Sequence, residues 1–261
     1  MSDERHEGSV MQEDGSDAIF ITGAPGSKWS LVAYAVSLAD GVNTSDAAES
    51  RTYGAEPGGP VHFGNYFGPG MEYGQRFDTL DRLSKPELME ELSRPYASAE
   101  GIKLLKSHMF ARHLDHLVAL FPEARFVLVH RPDEECLDWW LEAGGFEISF
   151  PDYSWYRELS NMKAQIATDN EAITGFLFRH GLRLTRPRSF KPLLTALGLT
   201  YSPDRLRRLA GEGAENPFGV TASDPAEIEQ ALHERAREAR LAYFRGSEVA
   251  SAAEAGAKTA R

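Results

Sequence analysis

Three short stretches of the chain gather cationic, hydroxyl and imidazole side chains: Thr22-Gly-Ala-Pro-Gly-Ser-Lys-Trp-Ser30, Lys106-Ser-His108 and His130-Arg-Pro-Asp133. The first is a run of small residues feeding a segment in which Trp29, Val32, Ala33 and Val36 recur at helical spacing. Such a loop turns backbone N–H groups and the positive end of a helix dipole towards one point, which suits a phosphate or a sulfate. Gly23, Pro25 and Gly26 shape the turn, while the hydroxyls of Thr22, Ser27 and Ser30 and the ammonium of Lys28 add donors. It is not the loop of ordinary ATP hydrolysis. Gly-x-x-x-x-Gly-Lys-Ser/Thr needs glycine where Lys28 stands, and the lysine here is followed by Trp29. His108 carries a group that exchanges a proton near neutrality, with an unperturbed pKa of ~6.5. Arg131 carries a planar fork suited to two bonds with a phosphate.

Each stretch ends an apolar run that reads as a strand: Ala18 to Ile21, Gly101 to His108, and Ala124 to His130. Between the second and third lies an amphipathic segment, Ala111 to Phe121, closed by Pro122. Strand, helix, strand in this order predicts parallel pairing and a right-handed crossover. The loops then fall at strand carboxyl ends, where open α/β sheets bind ligands. Pro132 and three acids start a helix whose apolar side is Cys136, Leu137, Trp139, Trp140 and Leu141. Pro86 and Glu87 start a shorter one over Leu88 to Leu92. Tyr153 to His180 reads as one or two helices, Leu182 to Thr185 as a last strand, and Phe190 to Leu197 as a helix ended by Gly198. The expected fold is a single α/β domain over 18–245, a central parallel sheet flanked by helices.

The 261 residues are 42% hydrophobic, enough for one substantial core, and their net charge of −11 argues against a broad attraction to nucleic acid or anionic lipid. An anionic ligand must be held locally. No run approaches the ~20 apolar residues of a membrane span. The first seventeen residues hold six acids against one arginine, so they read as a disordered tail rather than a signal peptide, and a cytoplasmic protein is expected. Residues 225–245 read as a solvated helix laced with Glu–Arg pairs, and 246–261 as a second disordered tail. The one cysteine, Cys136, excludes an intrachain disulfide and any multi-cysteine zinc site; no metal site is expected, and the thiol reads as a buried filler. Asp40 to Tyr53 is rich in Asp, Ser, Thr and Gly, and then Glu56 to Gly74 packs glycines and prolines between aromatics, as a long irregular loop. Its His62, Phe63, Tyr66 and Phe67 either cover the core or face a substrate.

Taken together, the three stretches resemble the sulfotransferases that use 3′-phosphoadenosine 5′-phosphosulfate, over about residues 18–200. Thr22 to Ser30 is similar to that family's Pro-[Lys/Arg]-Ser-Gly-Thr-Thr loop for the 5′-phosphosulfate. Leu105-Lys-Ser-His-Met109 is similar to the element carrying the base of its cytosolic members, and Val127-Leu-Val-His-Arg-Pro-Asp133 to the strand end supplying the 3′-phosphate arginine. Phe190-Lys-Pro-Leu-Leu-Thr-Ala-Leu-Gly-Leu199 resembles its closing helix and turn. Three positions depart from the pattern. Gly26 stands where the family has its basic residue, with Lys28 in a glycine position, and Trp139 stands where a serine follows the arginine.

The resemblance implies a P-loop nucleotide kinase and sulfotransferase type of fold. It implies sulfuryl transfer to a hydroxyl or amine of a small-molecule or carbohydrate acceptor, without nucleic acid; a homodimer is compatible with it. His108 would be the base, Lys28 would stabilise the transferred group, and Lys106 either points into the cleft or is solvated. The N–H groups of Gly26 and Ser27 would cradle the 5′-phosphate and Arg131 the 3′-phosphate of the bisphosphate product. Two other readings stay open: a P-loop kinase, and a protein of the same fold that binds without transferring.

Overall fold

The structure is a computed structural model that describes residues 11–46, 75–142, 145–147, 154–183 and 190–202. Four strands, β1 (Ala18–Gly23), β2 (Val42–Asn43), β3 (Ile102–Lys106) and β4 (Arg125–Val129), pair in parallel in the order β2-β3-β1-β4. The helices are α1 (Trp29–Ser37), α2 (Lys85–Ser93), α3 (Leu114–Leu120), α4 (Asp133–Glu142), α5 (Leu159–Arg179) and α6 (Phe190–Ala196). The chain is thus an α/β protein, as its sequence predicts.

β1 is apolar without alternation because both its faces are covered. Ala18 and Phe20 join one cluster with Leu88, Leu105, Phe110 and Phe121, while Ile19 and Ile21 join the opposite one with Val36, Leu104, Val127 and Leu194. α1 and α6 therefore cover one face, α2 and α3 the other. The Phe20 ring stacks on Phe126 and Phe121, with centroids 5.1 and 5.6 Å away.

Two expectations change. β2 lies in the polar stretch Asp40 to Tyr53, where no strand was expected; it is only two residues long and carries no pattern of its own. Leu182 and Arg183, read as the start of a last strand, lie outside the sheet. The helix expected over 225–245 and both terminal stretches, 1–10 and 246–261, are outside the described residues.

The expected acidic tail is shorter than its composition implies. Met11 is buried and donates its N–H to Ser93 Oγ at 2.8 Å. Asp17 meets the ammonium of Lys103 at 2.8 Å, and that lysine is wholly buried in β3, where Ala99 O also accepts from it at 3.2 Å. A charge count could not foresee this, because one of the acids neutralises a cation inside the fold. Asp17→Ala leaves the ammonium buried and unpaired and is expected to lower unfolding free energy by about 3 kcal/mol, checked by urea denaturation at neutral pH. An unchanged midpoint would refute the pairing.

Candidate active site

The register sets the site. Ile21 pairs with Lys106 and Gly23 with Val129, so β1, β3 and β4 end side by side and their three loops open on one edge of the sheet. All three chemical stretches of the sequence are thereby brought together.

In the first loop Gly26 has φ +77° and Lys28 has φ +66°, with Ser27 between them at negative φ. This alternation of hand makes a tight turn, closed by the Ser27 N–H on Ala24 O. It leads into α1, for which Lys28 is the N-cap without a side-chain cap, and no acid lies in the first turn. The first-turn N–H groups thus lack intrahelical partners. A lysine in the left-handed region costs about 1–2 kcal/mol and persists only where its surroundings impose it. Gly26 is imposed too: a Cβ there would overlap the Cys136 carbonyl of α4. The loop is held down by a helix backbone, which accounts for glycine where the resembling family has a basic residue.

Ser27 departs from its expected role. Its N–H closes a turn onto Ala24 O at 3.0 Å and is committed to the loop's own shape. Its Oγ is fully buried with no hydrogen-bond partner, a state costing about 1–3 kcal/mol. Thr22 Oγ1 donates to His108 O at 3.3 Å, tying the first loop to the second.

Lys28 Nζ sits over the face of Trp139, 2.9 Å from the ring centroid. The residue that breaks the family pattern thus makes a cation–π contact with the lysine that also breaks it. Lys106 is buried rather than solvated, its Nζ 5.4 Å from the centroid of Trp29. Ser107 caps the short helical turn His108–His113 by accepting from the Met109 N–H at 3.2 Å, which sets His108 at its start. The His108 ring lies 6.4 Å from that of Trp29 and 5.9 Å, edge to face, from that of Trp155. Its Nε2 is enclosed. Burial, and then the charge of Arg112, push its pKa down from 6.5 to about 4, so the imidazole is neutral at physiological pH. Arg112 is itself held by the buried Asp169, Nε to Oδ1 at 2.9 Å, while Gln165 donates to the other carboxylate oxygen at 2.8 Å.

Arg131 does not point out alone. Its Nε donates to Ser27 O at 3.0 Å and its Nη1 lies 3.5 Å from Glu135 Oε2. Its carbonyl accepts from Asn170 Nδ2 at 2.9 Å, and the same amide donates to Asp133 Oδ1 at 2.6 Å. Cys136 is buried as expected, and loss of solvation pushes its thiol up to about 11. Cys136, Trp140, Met162, Ile166 and Ala24 pack as one cluster that seats α4 on the loop.

His62, Phe63, Tyr66 and Phe67, expected to face the substrate, lie outside the described residues, as does the side chain of Ser30. The sequence reading gave Trp155 only an apolar packing role and missed Asp169 and Asn170. The last two had a visible signal: they fall between Ile166 and Ile173 on the buried side of α5, where polar groups must find partners. Among the described residues no group of three or more His, Cys, Asp or Glu is placed to hold a metal ion, and no helix is long and apolar enough to cross a membrane. Comparison with family models, curated proteins and solved structures finds no match to the chain.

Proposed function

We propose that the chain binds the phosphosulfate end of 3′-phosphoadenosine 5′-phosphosulfate on loop 23–28 and passes the sulfuryl group to a hydroxyl or amine of a small-molecule or carbohydrate acceptor. The observation that carries this reading is the Gly26–Lys28 turn at the N-terminus of α1, with a buried Ser27 hydroxyl that has no partner, on the sheet edge that also holds Lys106, His108 and Arg131. Those residues fit an anionic ligand: orphan N–H groups, a hydroxyl and ammonium groups are all donors. A P-loop kinase is less well supported, because β4 runs into His130-Arg131 rather than an acidic magnesium ligand.

The donor supplies an activated sulfuryl group on a phosphate leaving group, and the chain's own part is charge, position and a proton. Lys28, leaving the Trp139 face, would neutralise charge at the loop. His108 is neutral and so able to accept the acceptor's proton, but its burial and Arg112 disfavour the imidazolium that results. An anion bound on the adjacent loop offsets that penalty by attraction, which couples proton transfer to donor binding. The low basicity of His108 and the seating of Lys28 on Trp139 also favour a second reading, in which the protein binds the nucleotide without transferring.

Adenosine 3′,5′-bisphosphate is expected to bind without magnesium. Titration calorimetry with and without the metal tests this, and Lys28→Ala is expected to weaken binding by about 2 kcal/mol, the range for a hydrogen bond to a charged group. Preference for magnesium-ATP over the bisphosphate would overturn the reading, and unchanged binding in Lys28→Ala would remove the lysine from the site. The nucleotide co-purifying with the protein, identified by mass spectrometry, gives an independent check.

A further inference from the structure

The geometry points to Asn170 and Arg131 as positioning residues for the anion loop, joined in one relay that runs from α5 through the β4 loop to Ser27. This rests on the reading of loop 23–28 as an anion site and says what holds that loop in shape. Asn170 is buried in α5 and its Nδ2 bridges two groups of the β4 loop, Arg131 O at 2.9 Å and Asp133 Oδ1 at 2.6 Å. The backbone of Arg131 is thereby fixed. Its side chain then reaches across to Ser27 O, with Nε to oxygen at 3.0 Å and Glu135 steadying the far side of the guanidinium.

Ser27 is the residue on which the loop's alternation turns, since it stands between Gly26 and Lys28, both at positive φ. Its two backbone polar groups are both taken: the N–H by Ala24 O and the carbonyl by Arg131. An arginine that served the 3′-phosphate alone would have no reason to place Nε on a loop carbonyl, because its fork binds best with its donors turned to the anion. The arrangement instead uses the rigid fork as a strut. The relay predicts that losing either member weakens any anion seated on the loop, whether or not the ligand carries a 3′-phosphate.

The test compares two probes, adenosine 5′-phosphosulfate, which lacks the 3′-phosphate, and adenosine 3′,5′-bisphosphate, by calorimetry on the full chain. Asn170→Leu, nearly isosteric, and Arg131→Ala are each expected to weaken both ligands about tenfold, and the double variant little further, since both act through one relay. Hydrogen exchange at the Ser27 amide is expected to quicken in both variants without ligand. Asn170→Ala serves as a smaller replacement should the leucine fail to fold. A loss confined to the bisphosphate, additive losses, or an unchanged Ser27 exchange rate would overturn the relay while leaving the anion site standing. A parent chain that binds neither probe would overturn the anion site itself, and the exchange measurement would still judge the relay.

Discussion

Gly26→Lys, which puts back the basic residue that the resembling family carries in this loop, is expected to destabilise the protein by more than about 4 kcal/mol rather than to strengthen binding. The position is at φ +77°, and the first atom of any side chain would overlap the Cys136 carbonyl, with Cys136 C at 2.8 Å and Trp140 N at 3.1 Å. These are backbone atoms of α4 and cannot swing aside as a side chain tip would. α4, with its Cys136 and Trp140, would have to lift off Ala24, Met162 and Ile166, adding lost burial to the strain. Gly26→Ala is expected to cost nearly as much, because the clash is made at Cβ. Thermal unfolding should show both variants melting on the order of ten degrees lower. A Gly26→Lys chain with parental stability and tighter bisphosphate binding would show that α4 does not sit on the loop.

His108→Ala is expected to leave bisphosphate affinity intact and to reduce sulfuryl transfer at least about a hundredfold, the range for a general base acting in the transition state. Steady-state kinetics with any true acceptor decides this, and an undiminished kcat would assign transfer elsewhere. The same ring makes a prediction that needs no substrate. Its pKa falls from 6.5 unfolded to about 4 folded, so below pH 6.5 the unfolded chain takes up a proton that the folded chain refuses. Stability is therefore whole above 6.5, is lost progressively as pH falls, and levels off below about 4. At 1.36 kcal/mol per unit the loss contributed by this ring reaches about 3 kcal/mol. Subtracting the pH dependence of a His108→Gln variant isolates the contribution from those of the carboxylates. If the two curves run parallel between pH 7 and 4, the imidazole is solvated.

Three of the four strands, β1, β3 and β4, were legible because their cause is local, whereas the two-residue β2 carries no pattern to read. An unbroken apolar run such as Ala18 to Ile21, closed by Gly23, Pro25 and Gly26, has few ways to be anything but a buried strand and a turn. Proline and acids at a helix start, as at Pro86 and at Pro132 to Glu135, act within one turn and were read correctly as the starts of α2 and α4. Parallel pairing followed from the strand, helix, strand order, and with it the placing of Lys28, His108 and Arg131 on one edge.

What each of those side chains does there was decided only by tertiary contacts, since hydrogen bonds, burial and charge depend on residues far away in the chain. Arg131 looked like a hand held out to a phosphate, but Ser27, 104 positions earlier, takes its Nε, and Asn170, 39 positions later, takes its carbonyl. Lys28 looked like a donor to the loop alone, and Trp139 faces it. Gly26 looked like a missing cation, and the carbonyl of Cys136 leaves room for nothing larger. The sequence by itself determined β1, β3, β4 and the starts of α2 and α4, and which residues share an edge, because apolar periodicity and turn chemistry act over a few residues. Whether His108 carries a charge, and which atoms shape the loop at 23–28, were settled by the fold, because desolvation and backbone contact are properties of what is packed around a group and not of its neighbours in sequence.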